Sequence, residues 1–166
     1  MSSFKRFFRH ILMSPIIRNR HFPRATLSAI EAAVAAGEIK HRGQLRFVVE
    51  AELTTLQLWH AVSARQRAIE VFSMLRVWDT EENNGVLIYI LLADRKVEIV
   101  ADRSIHQKAG EQRWHAICRE IEHHYRKAAF LAGSVSGIEK ISAELAHYFP
   151  ANGSHKNEQP DSPVVL

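Results

Sequence analysis

The stretch that most constrains the fold is Val86-Leu87-Ile88-Tyr89-Ile90-Leu91-Leu92, seven apolar residues in a row. It lies between Asn83-Asn84-Gly85 and Ala93-Asp94-Arg95. So short a run between turn residues predicts a central strand buried on both faces. Such a strand needs a partner strand on each edge and a packed layer on each side. Immediately afterwards Val97 and Ile99 alternate with Lys96 and Glu98, the pattern of a strand with one wet face. The connection between the two is too short for anything but an antiparallel hairpin.

Upstream, Leu45, Phe47, Val49 and Ala51 alternate with Gln44, Arg46 and Glu50, which predicts a first strand. Leu58, Val62, Ala68, Ile69, Phe72 and Leu75 then mark the apolar face of a helix over 54–77, capped by Thr54 or Thr55. That span is long enough for a parallel crossover. A helix with Leu27, Ile30, Ala33 and Val34 on one face precedes the first strand, opened by Pro23 or by a Ser28–Glu31 capping box. Trp114, Ile117, Cys118, Ile121 and Tyr125 outline a further helix, and Ile138, Ile141, Leu145 and Tyr148 another, with Gly133 and Gly137 expected to mark the break between them. The sum is an α/β fold: a small three-layer α/β/α sandwich with a mixed sheet of about three to four strands. It occupies residues 21–149. The polar run 150–166, with Pro160 and Pro163, is expected to be a disordered tail.

Charge is distributed unevenly. Of 22 basic residues, six fall within the first 24 positions, which hold no acid, leaving 16 basic against 18 acidic residues in the remainder. A nearly neutral body argues against nucleic acid as a partner, since a domain that binds it carries a basic stripe across its own fold. Residues 1–20 read instead as a basic amphipathic arm. Phe4, Phe7, Phe8, Ile11 and Leu12 recur at helical spacing while Lys5, Arg6 and Arg9 occupy other positions, and Pro15 is expected to end the helix. Phe4, Lys5, Phe7, Phe8 and Arg9 are the candidates for contact with an anionic membrane surface or a protein partner. No apolar run is long enough to span a bilayer, and Arg9 and His10 interrupt any signal-like segment, so a cytoplasmic protein, peripheral to the inner membrane face, is expected. The single Cys118 sits among helix-core positions and reads as a buried residue rather than a nucleophile.

The segment Trp78 to Asp102, with its Asn83-Asn84-Gly85-Val86-Leu87 strand entry, Asp94-Arg95 turn and Val97-Glu98-Ile99 second strand, resembles the TPM domain family. Arg67-Ala68-Ile69-Glu70-Val71-Phe72 and the stretch His41 to Glu50 fit the same pattern, so the likeness covers roughly residues 20 to 150. It resembles in particular the short bacterial versions that lack a signal peptide and membrane helix. The resemblance implies an α/β/α sandwich, divalent-cation binding, calcium in particular, and weak acid-phosphatase activity in some members. One departure stands out. Where members carry a Gly-x-Gly-Leu-like segment after the hairpin, this chain reads Ala101-Asp102-Arg103-Ser104-Ile105.

Two polar clusters are expected at opposite ends of the sheet. Asp79, Glu81, Glu82, Asn83 and Asn84 share a loop to which the hairpin returns Asp102. Glu50 and Asp94, with Glu52 and Arg95, gather at the other end. Calcium takes about six to eight oxygen ligands, so the oxygen-rich loop with Asp79, Glu81, Asn83, Asn84 and Asp102 is the first choice for a cation and Glu50 with Asp94 the second. No organic cofactor is expected, because Gly85 stands alone and no phosphate-cradling loop is present. His115, Cys118, Glu122, His123 and His124 do not converge on one helix face as zinc ligands must. The expected function is a cation- or partner-binding module. The rival is a metal-assisted phosphatase drawing on Asp79, Asp94 or Asp102.

Overall fold

Every residue of β2 (Gly85–Leu91) is buried, and the fold is what that burial demands. The structure, a computed structural model, describes residues 3–13, 15–153 and 157–166. Strand β1 (Gln44–Glu50) lies parallel to β2, Gln44 opposite Gly85 and Glu50 opposite Leu91, while β3 (Lys96–Ala101) returns antiparallel on the other edge. The fourth strand, β4 (Val164–Val165), pairs parallel with β1, giving the order β3-β2-β1-β4. Before the sheet come α1 (Ser3–Leu12), α2 (Pro15–His21) and α3 (Arg24–Glu38); α4 (Thr55–Trp59) and α5 (Ala64–Met74) connect β1 to β2; α6 (Arg103–Ala109), α7 (Glu111–Arg126) and α8 (Phe130–Tyr148) follow β3.

Alternate side chains of the sheet feed two cores. Phe47, Val49, Ile88, Ile90, Val97 and Ile99 pack with Ile30 and Val34 of α3, Ile117 and Ile121 of α7, and Ile138, Ile141 and Leu145 of α8. On the opposite face Val48, Leu87, Tyr89 and Leu91 meet Ala68, Val71 and Phe72 of α5. Helices therefore cover both faces, and the expected α/β sandwich with a mixed sheet is what forms.

Four local expectations change. The crossover is two short helices rather than one over 54–77. Thr54 and Gln57 form one capping box, Ser63 and Gln66 a second, and Ala61 takes a left-handed conformation between them at φ 54°. Pro15 opens α2 instead of simply closing α1. Gly133 and Gly137 do not break the helical hairpin. They lie inside α8, where a Cβ would come within 2.7 Å of His124 Cβ and 2.4 Å of Ile121 Cδ1 respectively, so they let α7 and α8 approach closely. The break falls at Lys127–Ala129, with Ala128 at φ 59°.

The fourth concerns the tail. The polar run beyond Pro150 is expected to be disordered, yet its described part lies along the sheet. Leu166 N–H donates to Val49 O at 2.9 Å, and Val164 and Leu166 pack on the second core. Gln44 Oε1 accepts from the backbone N–H groups of Glu158 and Gln159 at 2.9 and 2.8 Å, and Arg46 donates to Pro160 O. Asp161 lies beside the buried Glu38, whose Oε1 accepts from Leu45 N–H at 3.3 Å.

The arm is fixed at the other end of the sheet, on Asp94. Arg6 Nη2 and Arg9 Nη2 donate to its two oxygens at 2.8 and 2.9 Å, and Arg6 also donates to Val62 O at 2.6 Å. His10 Nδ1 accepts from Leu53 N–H at 3.0 Å, so the ring proton lies on Nε2, which donates to Asp94 Oδ1 at 3.1 Å. Burial by itself would raise the Asp94 pKa. The hydrogen bonds from His10 and Arg6, with the Arg6 charge, outweigh it and hold the carboxyl well below its usual range.

Two outcomes are expected. Burial, then the neighbouring Asp161 carboxylate, pushes Glu38 up to about 8, so the folded state holds a proton that the unfolded chain has lost above about pH 4.3. That contribution to stability is complete below about pH 4 and is lost as pH rises through about 8. Urea denaturation of Glu38→Gln should therefore show a flatter pH profile and about 1 kcal/mol or more extra stability, relative to wild type, at pH 9 than at pH 5. Asp94 has the opposite sign: its depressed pKa stabilises the docked arm above the ordinary Asp value of about 3.9, and the effect fades as pH falls through the lower folded value. At neutral pH, Asp94→Asn is expected to leave the sheet folded and to speed amide exchange in α1 by about tenfold or more.

Candidate functional site

Asp102 and the loop before β2 meet because the hairpin register brings them together. Val86 sits opposite Ala101, Asp102 N–H donates to Gly85 O at 2.8 Å, and Ser104 N–H donates to Asn83 O at 3.1 Å. Asp102 then caps α6, its Oδ1 accepting from Arg103 N–H at 2.6 Å. The loop is braced from within: Thr80 Oγ1 accepts from Asn84 N–H at 3.1 Å, and Asn83 turns the chain at φ 52°. The left-handed residue of the loop is thus Asn83, and Gly85 has a different task. A Cβ on Gly85 would lie 1.9 Å from Val77 O, so only glycine lets the strand begin this close to the end of the crossover.

Asn84 is the innermost loop side chain, 1 % exposed. Its amide Nδ2 donates to Arg42 O at 3.2 Å and toward Glu82 Oε2 at 3.5 Å, which fixes which way the amide points. Asn84 Oδ1 and Asp102 Oδ2 are both buried without a hydrogen-bond partner among the described residues. A buried oxygen left without a donor costs about 1–3 kcal/mol, and two such oxygens lie at this end of the sheet. The other expected donors are less committed to it. Asp79, Glu81 and Asn83 are exposed, Glu81 N–H donates to Glu158 Oε2 at 3.2 Å, and Glu82 pairs with Arg42. Among the described residues no three His, Cys, Asp or Glu side chains converge as metal ligands. A cation here would draw on one carboxylate, one amide oxygen, loop carbonyls and water.

At the opposite end the structure does not bring Glu50 and Asp94 into one site. Arg67 Nε donates to Glu50 Oε2 at 2.9 Å, its Nη2 to Oε1 at 2.9 Å, and Tyr89 Oη donates to the same carboxylate. Burial, then the hydrogen bond to Glu50, raises the Tyr89 pKa, keeping the phenol protonated as donor. Asp94 is taken by Arg6, Arg9 and His10. Glu52 Oε2 and Arg9 Nε are buried there without a partner among the described residues. A cation entering this end would have to displace guanidinium groups already hydrogen-bonded to the carboxylates. Beside it, a cavity of about 450 Å³ runs between α2, the β2–β3 turn and the end of α7, lined by Ile17, Ile90, Arg95, Tyr125 and Phe130 among others.

Among the helical histidines, His115 pairs with Glu111 at 3.3 Å and the His123 and His124 rings meet edge to face, while Glu122 pairs with Lys96. Cys118 is buried, and desolvation, then the nearby Glu98 charge, pushes its thiol up to about 12. That is the state of an inert core residue. Sequence reading overlooked Arg42, which joins Glu82 to Pro150 O and closes over Asn84. Its position two residues before β1 gives no chemical signal by itself. It also overlooked His10, whose one-turn spacing from Arg6 was legible.

With this geometry in place, the chain can be set against known proteins. None of the curated proteins matches it. Among solved structures, the NMR structure of the BA42 protein from the psychrophilic bacterium Bizionia argentinensis is similar, with a TM-score of 0.76 and 27 % identity, covering 86 % of this chain and 93 % of that one. The TPM domain model matches residues 19–144. That match takes in most of the chain, from the end of α2 to within α8, and this protein belongs to the TPM domain family.

Proposed function

We propose that the chain is a TPM-domain module that binds a divalent cation, calcium by donor type, in the loop end formed by Thr80–Asn84 and Asp102. The observation that carries this reading is the pair of buried, unpartnered oxygens, Asn84 Oδ1 and Asp102 Oδ2, brought to one end of the sheet by the hairpin register. Both are hard oxygen donors, which suits calcium rather than a softer metal. Asn84 supplies its oxygen already oriented, since Arg42 O holds the amide nitrogen at 3.2 Å. One formal negative charge at the centre makes for weak binding, in the range of about 10⁻⁴–10⁻³ M found for sites with few charged ligands. The exposed Asp79 and Glu81 add negative potential around the mouth. A metal-assisted phosphatase would need its aspartates together, whereas Asp94 is held by Arg6 and Arg9 at the far end of the sheet from Asp102.

Calcium titration followed by amide NMR tests the assignment. Amides of residues 79–85 and 102–104 are expected to shift at millimolar calcium. Asp102→Asn keeps an acceptor for the α6 cap but removes the charge, and should weaken binding by about tenfold or more, some 1.4 kcal/mol. Asn84→Ala should do at least as much. Shifts confined to 50–52 and 94–95, or none at all, would refute this site.

A further inference from the structure

The arm docks inside out. A surface helix ordinarily turns its apolar stripe to the core and its charges to water. In α1 the inward residues are Arg6, Arg9 and His10, clamped to Asp94, while Phe4, Phe8, Ile11 and Leu12 share the outward face. Phe4 and Leu12 are each 70 % exposed. The clamp dictates this: once three consecutive-turn polar groups are spent on one buried carboxylate, the apolar face 180° away has only solvent before it. The same end of the sheet carries α4, flanked by Leu53, whose N–H donates to His10, and by Val62, whose carbonyl accepts from Arg6, and α4 exposes Leu56 and Trp59, the latter 86 %.

We infer that this end of the molecule, the outward face of α1 together with Leu56 and Trp59 of α4, is a docking surface for an anionic lipid bilayer. Charge selects the occupant. The first 30 residues contain no carboxylate, and the exposed Lys5 and Arg20 have no ion-pair partner among the described residues. Exposed apolar residues on a stretch of chain that carries unneutralised cations and no carboxylate match the interface of an anionic membrane, where acyl chains lie just beneath phosphate groups. A symmetric contact through α1 would bring two helices that hold cations and no carboxylate face to face. Exposed Trp59 suits the headgroup level of a bilayer, where indole rings accumulate. Among the described residues no helix is long and apolar enough to cross a membrane, so this surface would lie on the bilayer. One short helix gives reversible attachment, as single weak anchors do.

The full-length protein is mixed with vesicles of phosphatidylglycerol and phosphatidylcholine, or of phosphatidylcholine alone, with co-sedimentation and tryptophan emission as readouts. Wild type is expected to partition onto the anionic vesicles about tenfold more than onto neutral ones, with a blue shift of emission. Phe4→Ser with Phe8→Ser should lower that partition about tenfold while the amide spectrum of the sheet is unchanged. Trp59→Phe should keep binding and lose the shift, whereas Trp78→Phe should keep both. Equal binding by the double serine variant, a blue shift that survives Trp59→Phe, or no partition by wild type would each overturn the proposal. So would self-association in sedimentation that the double serine variant abolishes without vesicle binding, which would assign the face to a second copy.

Discussion

Strand β2 leaves nothing of itself for water, and the rest of the molecule answers to that. Its two edges need hydrogen-bonded neighbours, which β1 and β3 provide, and its two faces need apolar layers, which α5 supplies on one side and α3, α7 and α8 on the other. The constraint even governs its one polar group. Tyr89 points into the α5 face with its hydroxyl fully buried, so a partner had to be brought in, and Glu50 on the neighbouring strand accepts from it. Glu50 in turn carries a buried charge, which Arg67 of α5 neutralises with paired hydrogen bonds. One phenol in a central strand thus fixes a carboxylate on β1 and a guanidinium on the crossover helix.

The same logic of buried charge sorts the two ends of the sheet. At the carboxyl ends of β1 and β2, where open α/β sheets commonly receive ligands, Glu50 and Asp94 are already paired with arginines from within the chain. Asp94 has become an internal anchor. Its partners come from the N-terminal helix, so the price of holding the arm is an apolar helical face turned to the outside. At the amino end the situation is reversed. There the oxygen atoms of Asn84 and Asp102 are buried without donors among the described residues, Asp79 and Glu81 are exposed, and Glu82 pairs with Arg42. The pairing of Glu50 and Asp94 at one end and the unpartnered oxygens of Asn84 and Asp102 at the other separate a structural clamp from a candidate ligand site.

Much of this was legible in the sequence, for local reasons. Seven consecutive apolar residues between turn formers can hardly be anything but a buried strand, and a three-residue gap to an alternating run can only be a hairpin. Hence the central strand, the hairpin, the parallel crossover and the meeting of Asp102 with the Asn83–Asn84 loop could all be read directly. The family likeness rested on those same residues. The helical breaks were less legible. Gly133 and Gly137 look like punctuation, but the space between α7 and α8 uses them for close packing, while the turn goes to Ala128, a residue with no turn signature. The Ser63–Gln66 capping box divides the crossover, yet it is hidden inside an apolar pattern that continues through it.

What the sequence alone determined was the periodicity: which runs are strands, which are helices, and which face of each is apolar. Periodicity is a property of near neighbours and needs no knowledge of the rest of the chain. Tertiary structure alone decided the partners. Whether Asp94 awaits a metal or holds Arg6 and Arg9, and whether the polar run after Pro150 stays in solvent or ends as β4, depends on groups some 88 and 116 positions distant meeting in space. Burial makes those choices, because it turns an ordinary carboxylate or backbone edge into a group that must find a partner.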